Sequence, residues 1–169
     1  MKKKKVFNKE KIKRDALWNA EKTIKCSYFS DNLPDNLLVV DGSVRKKNNS
    51  GVGVGEIKGI ELKTGKIIFQ EILNGEVSSN MAEYIAIYKA SLWCELNNKE
   101  MIIFSDSTNA IIWSKSGKSN PQIHSNSNSI RLLQLKADSH FTNTKKKIYY
   151  WNKKIWGENP ADFGRKNKK

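Results

Sequence analysis

Apolar positions along this 169-residue chain fall into short runs and two kinds of period. Leu37-Leu38-Val39-Val40 is an unbroken apolar run that ends at Asp41-Gly42-Ser43, as expected of a strand buried on both faces. The turn Asn48-Asn49-Ser50-Gly51 leads into Val52-Gly53-Val54-Gly55-Glu56-Ile57, whose alternation predicts a second strand and a hairpin. Gly65 breaks the chain before a third strand, Ile67 to Ile72, so residues 37–73 read as an antiparallel meander. The period then changes: Ala82, Ile85, Ala86, Ala90, Trp93 and Leu96 recur at helical spacing between the capping residues Ser78 and Ser79 and the stop at Asn97-Asn98. Met101 to Phe104 predicts a fourth strand, Thr108 to Ser114 a short helix, Ile130 to Ala137 another, and Lys147 to Trp151 a fifth strand. Between the two short helices, residues 114–129 are rich in Ser, Asn, Gly and Lys and read as a loop. Residues 15–25 form one further helical pattern, separated from the first strand by a turn that contains Pro34.

Charge divides the chain. The whole carries +14, of which +7 lies in residues 1–14 and +4 in residues 165–169. We therefore read residues 1–36 as a basic extension with a short helix and residues 37–169 as the main domain. Such basic ends fit a polyanionic partner, because each neutralised phosphate releases counterions. No apolar run approaches the ~20 residues of a membrane span, and no apolar stretch follows the basic Met1 to Lys5, so neither a membrane protein nor a secretory signal is expected. Cys26 and Cys94 are far apart and in no ligand-pair spacing, which fits a reducing, cytoplasmic setting and buried thiols. With His124 and His140 they form no zinc pattern.

Four carboxylates stand at element ends: Asp41 after the first strand, Glu83 in the first turns of the long helix, Asp106 after the fourth strand and Asp162 after the fifth. If the first and fourth strands are parallel neighbours, Asp41 and Asp106 project side by side and the helix can bring Glu83 to them. Crowded carboxylates repel unless a cation compensates, and hard oxygen ligands suit Mg²⁺ or Mn²⁺.

These residues carry a resemblance to the type 1 ribonuclease H family. Its matching segments are Val40-Asp41-Gly42-Ser43 with Gly51-Val52-Gly53, Ser79-Asn80-Met81-Ala82-Glu83, Phe104-Ser105-Asp106-Ser107, and Gly157-Glu158-Asn159-Pro160-Ala161-Asp162. The match spans residues 37–165, and its closing segment is similar to a bacterial or phage branch. The resemblance implies an α/β, ribonuclease H-like fold, a five-stranded mixed sheet flanked by helices. It implies a monomeric endonuclease that hydrolyses the RNA strand of RNA/DNA hybrids. It also implies that Asp41, Glu83, Asp106 and Asp162 are the catalytic ligands of two Mg²⁺ ions, one orienting and deprotonating water for in-line attack and one stabilising the leaving 3′ oxygen. By the same resemblance Ser43, Ser79, Asn80 and Trp113 are candidate substrate contacts, Ser79 and Asn80 toward the RNA 2′-hydroxyl, with helix capping the equal alternative for Ser79. Trp113 precedes Lys115 and Lys118, a setting for gripping the DNA strand, whereas Trp93 falls on the apolar stripe and reads as core. Many members carry a histidine in the loop before the last aspartate; none stands between Trp151 and Asp162 here. Two other classes remain in view: a binding module that keeps the fold without the chemistry, and a related metal-dependent nuclease acting on DNA.

Overall fold

The computed structural model describes residues 33–144 and 147–164. The helix expected over residues 15–25, Cys26 and both basic ends lie outside the described residues. Five strands form one mixed sheet: β1 (Leu37–Arg45), β2 (Gly53–Glu61), β3 (Ile67–Val77), β4 (Ile102–Ser105) and β5 (Ile148–Tyr150), in the order β3-β2-β1-β4-β5. The meander is antiparallel, while β4 runs parallel to both β1 and β5. Helices α1 (Ser79–Leu96), α2 (Thr108–Ser116) and α3 (Asn128–Asn143) complete the fold with a single turn, α4 (Lys153–Trp156). This is the α/β architecture expected of a ribonuclease H-like chain.

Leu37, Leu38, Val39 and Val40 are fully buried because β1 is central and both of its faces are covered. Leu38 and Val40 join the core built with Ile57, Ile103, Ile148 and the buried side of α1. On the opposite face Phe104 meets Trp151 at 6.3 Å and Trp156 at 5.6 Å between ring centroids. Strands β1 and β3 run several residues past their apolar stretches. Antiparallel pairing carries β1 on to Arg45 opposite Val54, and β3 on to Val77 opposite Gly53. Two register shifts between β2 and β3 mark where that ladder bends.

Ser78 caps α1, its hydroxyl accepting the Met81 N–H, and Ser107 and Ser127 cap α2 and α3 in the same way. Helix α3 is longer than its apolar stretch. Its Asp138 carboxylate accepts from the Tyr84 hydroxyl at 2.6 Å and from the Ser119 N–H and hydroxyl, each at 3.0 Å. The loop of residues 117–127 is thereby tied to α3 and α1. Burial, and then the Asp138 contact, push the Tyr84 phenol well above its ordinary range, so it stays a neutral donor.

Candidate active site

The parallel pairing of β1 with β4 places their C-terminal ends side by side, the place where ligands bind in open α/β sheets. Asp41 lies on β1 and Asp106 one residue past Ser105, the last of β4. Glu83, in the second turn of α1, reaches the same point because Gly42 lets the helix backbone come in against β1. A methyl group on Gly42 would lie 2.4 Å from both the Ala82 carbonyl carbon and the Glu83 nitrogen. Carboxylate oxygens of Asp41, Glu83 and Asp106 lie within 4.8 Å of one another.

The electrostatics are those of crowded carboxylates. Burial first, then the charges of Asp41 and Asp106 and a hydrogen bond shared with Asp41, push the Glu83 carboxyl well above the usual carboxylate range. The Gly42 N–H donates to Glu83 and opposes the shift. Glu83 Oε2 is buried and has no hydrogen-bond partner, a costly state for a carboxylate oxygen. A hard divalent cation fits these observations: it takes oxygen ligands, supplies the missing charge and gives Oε2 a partner. Two oxygens held about 2.1 Å from one Mg²⁺ are at most about 4 Å apart, close to the spacing already present.

Asp162 lies outside that tight group but on a segment fastened to it. The buried Asn159 side chain donates from Nδ2 to the Val40 carbonyl at 3.1 Å and accepts the Ala161 N–H on Oδ1 at 2.8 Å. The Asp162 N–H in turn donates to the Asn159 carbonyl at 2.9 Å. Asn159 therefore anchors the carrier of Asp162 one residue before Asp41. Asn159 and Pro160 stood in the sequence as part of a motif segment; the bond from Asn159 to a residue 119 positions away was not legible there.

Among the expected substrate contacts, Ser43 is half-buried on β1 two residues beyond Asp41. With the cap assigned to Ser78, Ser79 is the first residue of α1 and half-buried, and Asn80 next to it is exposed. Trp113 is in a different situation. It is buried in the core and meets Tyr84 edge to face at 5.6 Å, so its ring offers no open platform. Lys115, beyond it, places its ammonium 5.6 Å from the Tyr149 ring centroid. Trp93 packs against the core as expected.

Neither histidine joins the cluster. His124 is exposed. His140 sits between α3 and α1, with Nε2 2.7 Å from the fully buried Ser91 hydroxyl and Nδ1 3.6 Å from Glu95. We expect His124→Ala to leave both stability and turnover within a few-fold of wild type. His140→Ala should lower unfolding free energy by about 1–3 kcal/mol, the cost of stranding a buried hydroxyl, again without the ~10²–10⁴-fold rate loss of a general acid or base. Thermal unfolding and single-turnover rates check both.

The Glu83 shift has a pH signature. A carboxyl whose value is raised by folding stabilises the folded state where it is protonated, and that advantage is lost as pH rises through the folded value. In chelator, the wild-type Tm should therefore fall more steeply between acidic and neutral pH than that of Glu83→Gln. A divalent cation at neutral pH should raise the wild-type Tm and leave that of the variant nearly unmoved.

Fold and site together define an α/β protein with a carboxylate centre suited to a divalent cation. No protein-family model matches the chain. Solved structures similar to it include the ribonuclease H1 of the halophilic archaeon Halobacterium salinarum, at 16% identity and TM-score 0.49 over 74% of this chain and 91% of that one. A second is LC11-RNase H1, isolated from compost by a metagenomic approach and solved with an RNA/DNA hybrid; it has 16% identity and TM-score 0.43 over 68% of this chain and 82% of that one. The N-terminal RNase H domain of a Mycobacterium tuberculosis protein is similar at 14% identity and TM-score 0.42, covering 68% and 84%.

Proposed function

We propose that the chain is a metal-dependent endonuclease that hydrolyses the RNA strand of RNA/DNA hybrids. The observation that carries the reading is the convergence of Asp41, Glu83 and Asp106, with Glu83 Oε2 buried and unpartnered. Three acidic groups from three elements, one of them driven off its ordinary titration range, are costly to a fold that does not use them. Their order, and that of Asp162 behind them, matches the ribonuclease H motifs in the sequence.

In this reading Asp41, Glu83 and Asp106 hold the divalent ions, with Asp162 completing the set from its Asn159-anchored segment. Bound there, the ions supply an activated water and neutralise charge on the leaving 3′ oxygen. Gly42 donates to the Glu83 carboxylate and keeps it turned into the site. Ser79 and Asn80, at the start of the helix that carries Glu83, face the strand being cut and test it for a 2′-hydroxyl, while Ser43 lies along the same strand as Asp41. Cleavage needs no side-chain nucleophile, because in this reading the attacking group is water. Among the described residues, no helix is long and apolar enough to cross a membrane.

The test is an RNA/DNA hybrid labelled on both strands, beside duplex DNA, duplex RNA and single strands, with Mg²⁺, with Mn²⁺ and with chelator. We expect cation-dependent cutting of the RNA strand of the hybrid alone. Cutting of duplex DNA instead would make the chain a DNA nuclease, and hybrid binding without cutting would make it a binding module.

A further inference from the structure

Along one face of the β1–β2 ladder, Asp41 lies directly opposite Lys58 and Ser43 opposite Glu56, with Arg45 next on β1. Directly opposed residues in an antiparallel pair project from the same face with Cβ atoms about 5 Å apart. Two cations therefore flank this face, and they differ. Arg45 is neutralised by an ion pair with the buried Glu56. Lys58 makes no ion pair among the described residues. Half-buried, it holds its ammonium 5.9 Å from the ring centroid of Phe163, the residue after Asp162. An uncommitted ammonium thus stands between the strand that carries Asp41 and the segment that carries Asp162.

We propose that Lys58 binds a backbone phosphate of the polynucleotide next to the scissile bond and so sets the register of the substrate against the carboxylate cluster. The inference rests on the nuclease reading above. A fixed positive charge at this place offsets the repulsion between the acidic cluster and an incoming polyanion, and an ammonium is a strong donor to a phosphate oxygen. The Phe163 ring holds the ammonium by a cation–π contact that leaves its N–H donors free to turn to a phosphate. Arg45, already committed to Glu56, is the built-in contrast on the same face.

Hybrid affinity at several salt concentrations and single-turnover cleavage at saturating enzyme are measured for wild type, Lys58→Met, Lys58→Gln, Lys58→Arg, Phe163→Leu and Lys63→Met, with thermal unfolding for each. Lys63 is an exposed lysine that supplies the same loss of charge elsewhere. Loss of the phosphate contact should weaken hybrid binding on the order of tenfold and reduce the log–log salt slope by about one, in both Lys58→Met and Lys58→Gln. Lys58→Arg should recover most of the affinity and all of the slope, and Lys63→Met should change neither. An unchanged slope in both neutral variants overturns the proposal. So does a Phe163→Leu variant that reproduces the whole loss, because Lys58 would then act only by fastening the Asp162 segment. Wild-type protein that cuts no hybrid would sink the nuclease reading, while the slopes would still decide whether Lys58 meets a phosphate.

Discussion

Asp106→Asn is expected to lower cleavage of an RNA/DNA hybrid by at least about 10³-fold while leaving hybrid affinity within a few-fold of wild type. The magnitude follows from the several kcal/mol that divalent-ion stabilisation contributes to a phosphoryl transition state, at 1.36 kcal/mol per decade. The asymmetry between rate and affinity follows from location: Asp106 lies in the acidic cluster, whereas grip on a polyanion comes from lysines and arginines elsewhere. Folding should survive, because the substitution removes one of the charges that push the Glu83 carboxyl out of its ordinary range. In chelator at neutral pH the variant should unfold at the wild-type Tm or above it. Single-turnover rates, filter binding and thermal unfolding separate the three quantities. A variant that cuts at the wild-type rate would remove Asp106 from the chemistry.

Gly42→Ala is expected to damage both the fold and the site. Gly42 has an ordinary backbone conformation, so it is space that demands glycine. The added methyl would meet the Ala82 carbonyl carbon and the Glu83 nitrogen, each at 2.4 Å, and these are backbone atoms inside a helix that cannot rotate away. Either α1 lifts off β1 or β1 bends, with a loss of about 3 kcal/mol or more in unfolding free energy. Either movement also carries Glu83 from Asp41 and weakens the Gly42 N–H contact. Material that remains folded should therefore cut about 10²-fold more slowly, the usual consequence of a misplacement near 1 Å. Denaturant unfolding and rates corrected for the folded fraction check the two effects. By contrast, Gly65→Ala adds a methyl with nothing within 4 Å; it should cost only the strain of a positive φ in a turn and leave cleavage unchanged.

The architecture was legible where local pattern and global packing agree. The run Leu37 to Val40 announced a central strand, and the helical spacing from Ala82 to Leu96 announced the helix that covers it. Three of the four candidate ligands were legible as a group because strand ends of parallel neighbours converge by geometry. What escaped depends on partners distant in the sequence. Strand β3 continues through Asn74, Gly75 and Glu76 because Glu76 and Val77 pair with β2 and the Ser127 and Ser125 hydroxyls donate to the Asn74 and Glu76 carbonyls, which no propensity of those residues predicts. Trp113 stood where a substrate platform was expected, yet the face that α2 turns toward Tyr84 puts its ring inside. His140 likewise gave no sign of the Ser91 hydroxyl waiting on another helix. Lys58 could not be recognised at all until the register of β1 and β2 set it opposite Asp41.

If the Asp41–Glu83–Asp106 cluster is a divalent-cation centre, it should bind Mn²⁺, and electron paramagnetic resonance follows that binding without relying on turnover. Wild-type protein at neutral pH should take up Mn²⁺ with a loss of the free-ion signal, be displaced by excess Mg²⁺, and bind more weakly as the pH falls and Glu83 takes up a proton. Asp106→Asn and Glu83→Gln should each lose most of that uptake while remaining folded. Equal uptake by wild type and both folded variants would place the ion somewhere other than the three carboxylates and rule out this centre.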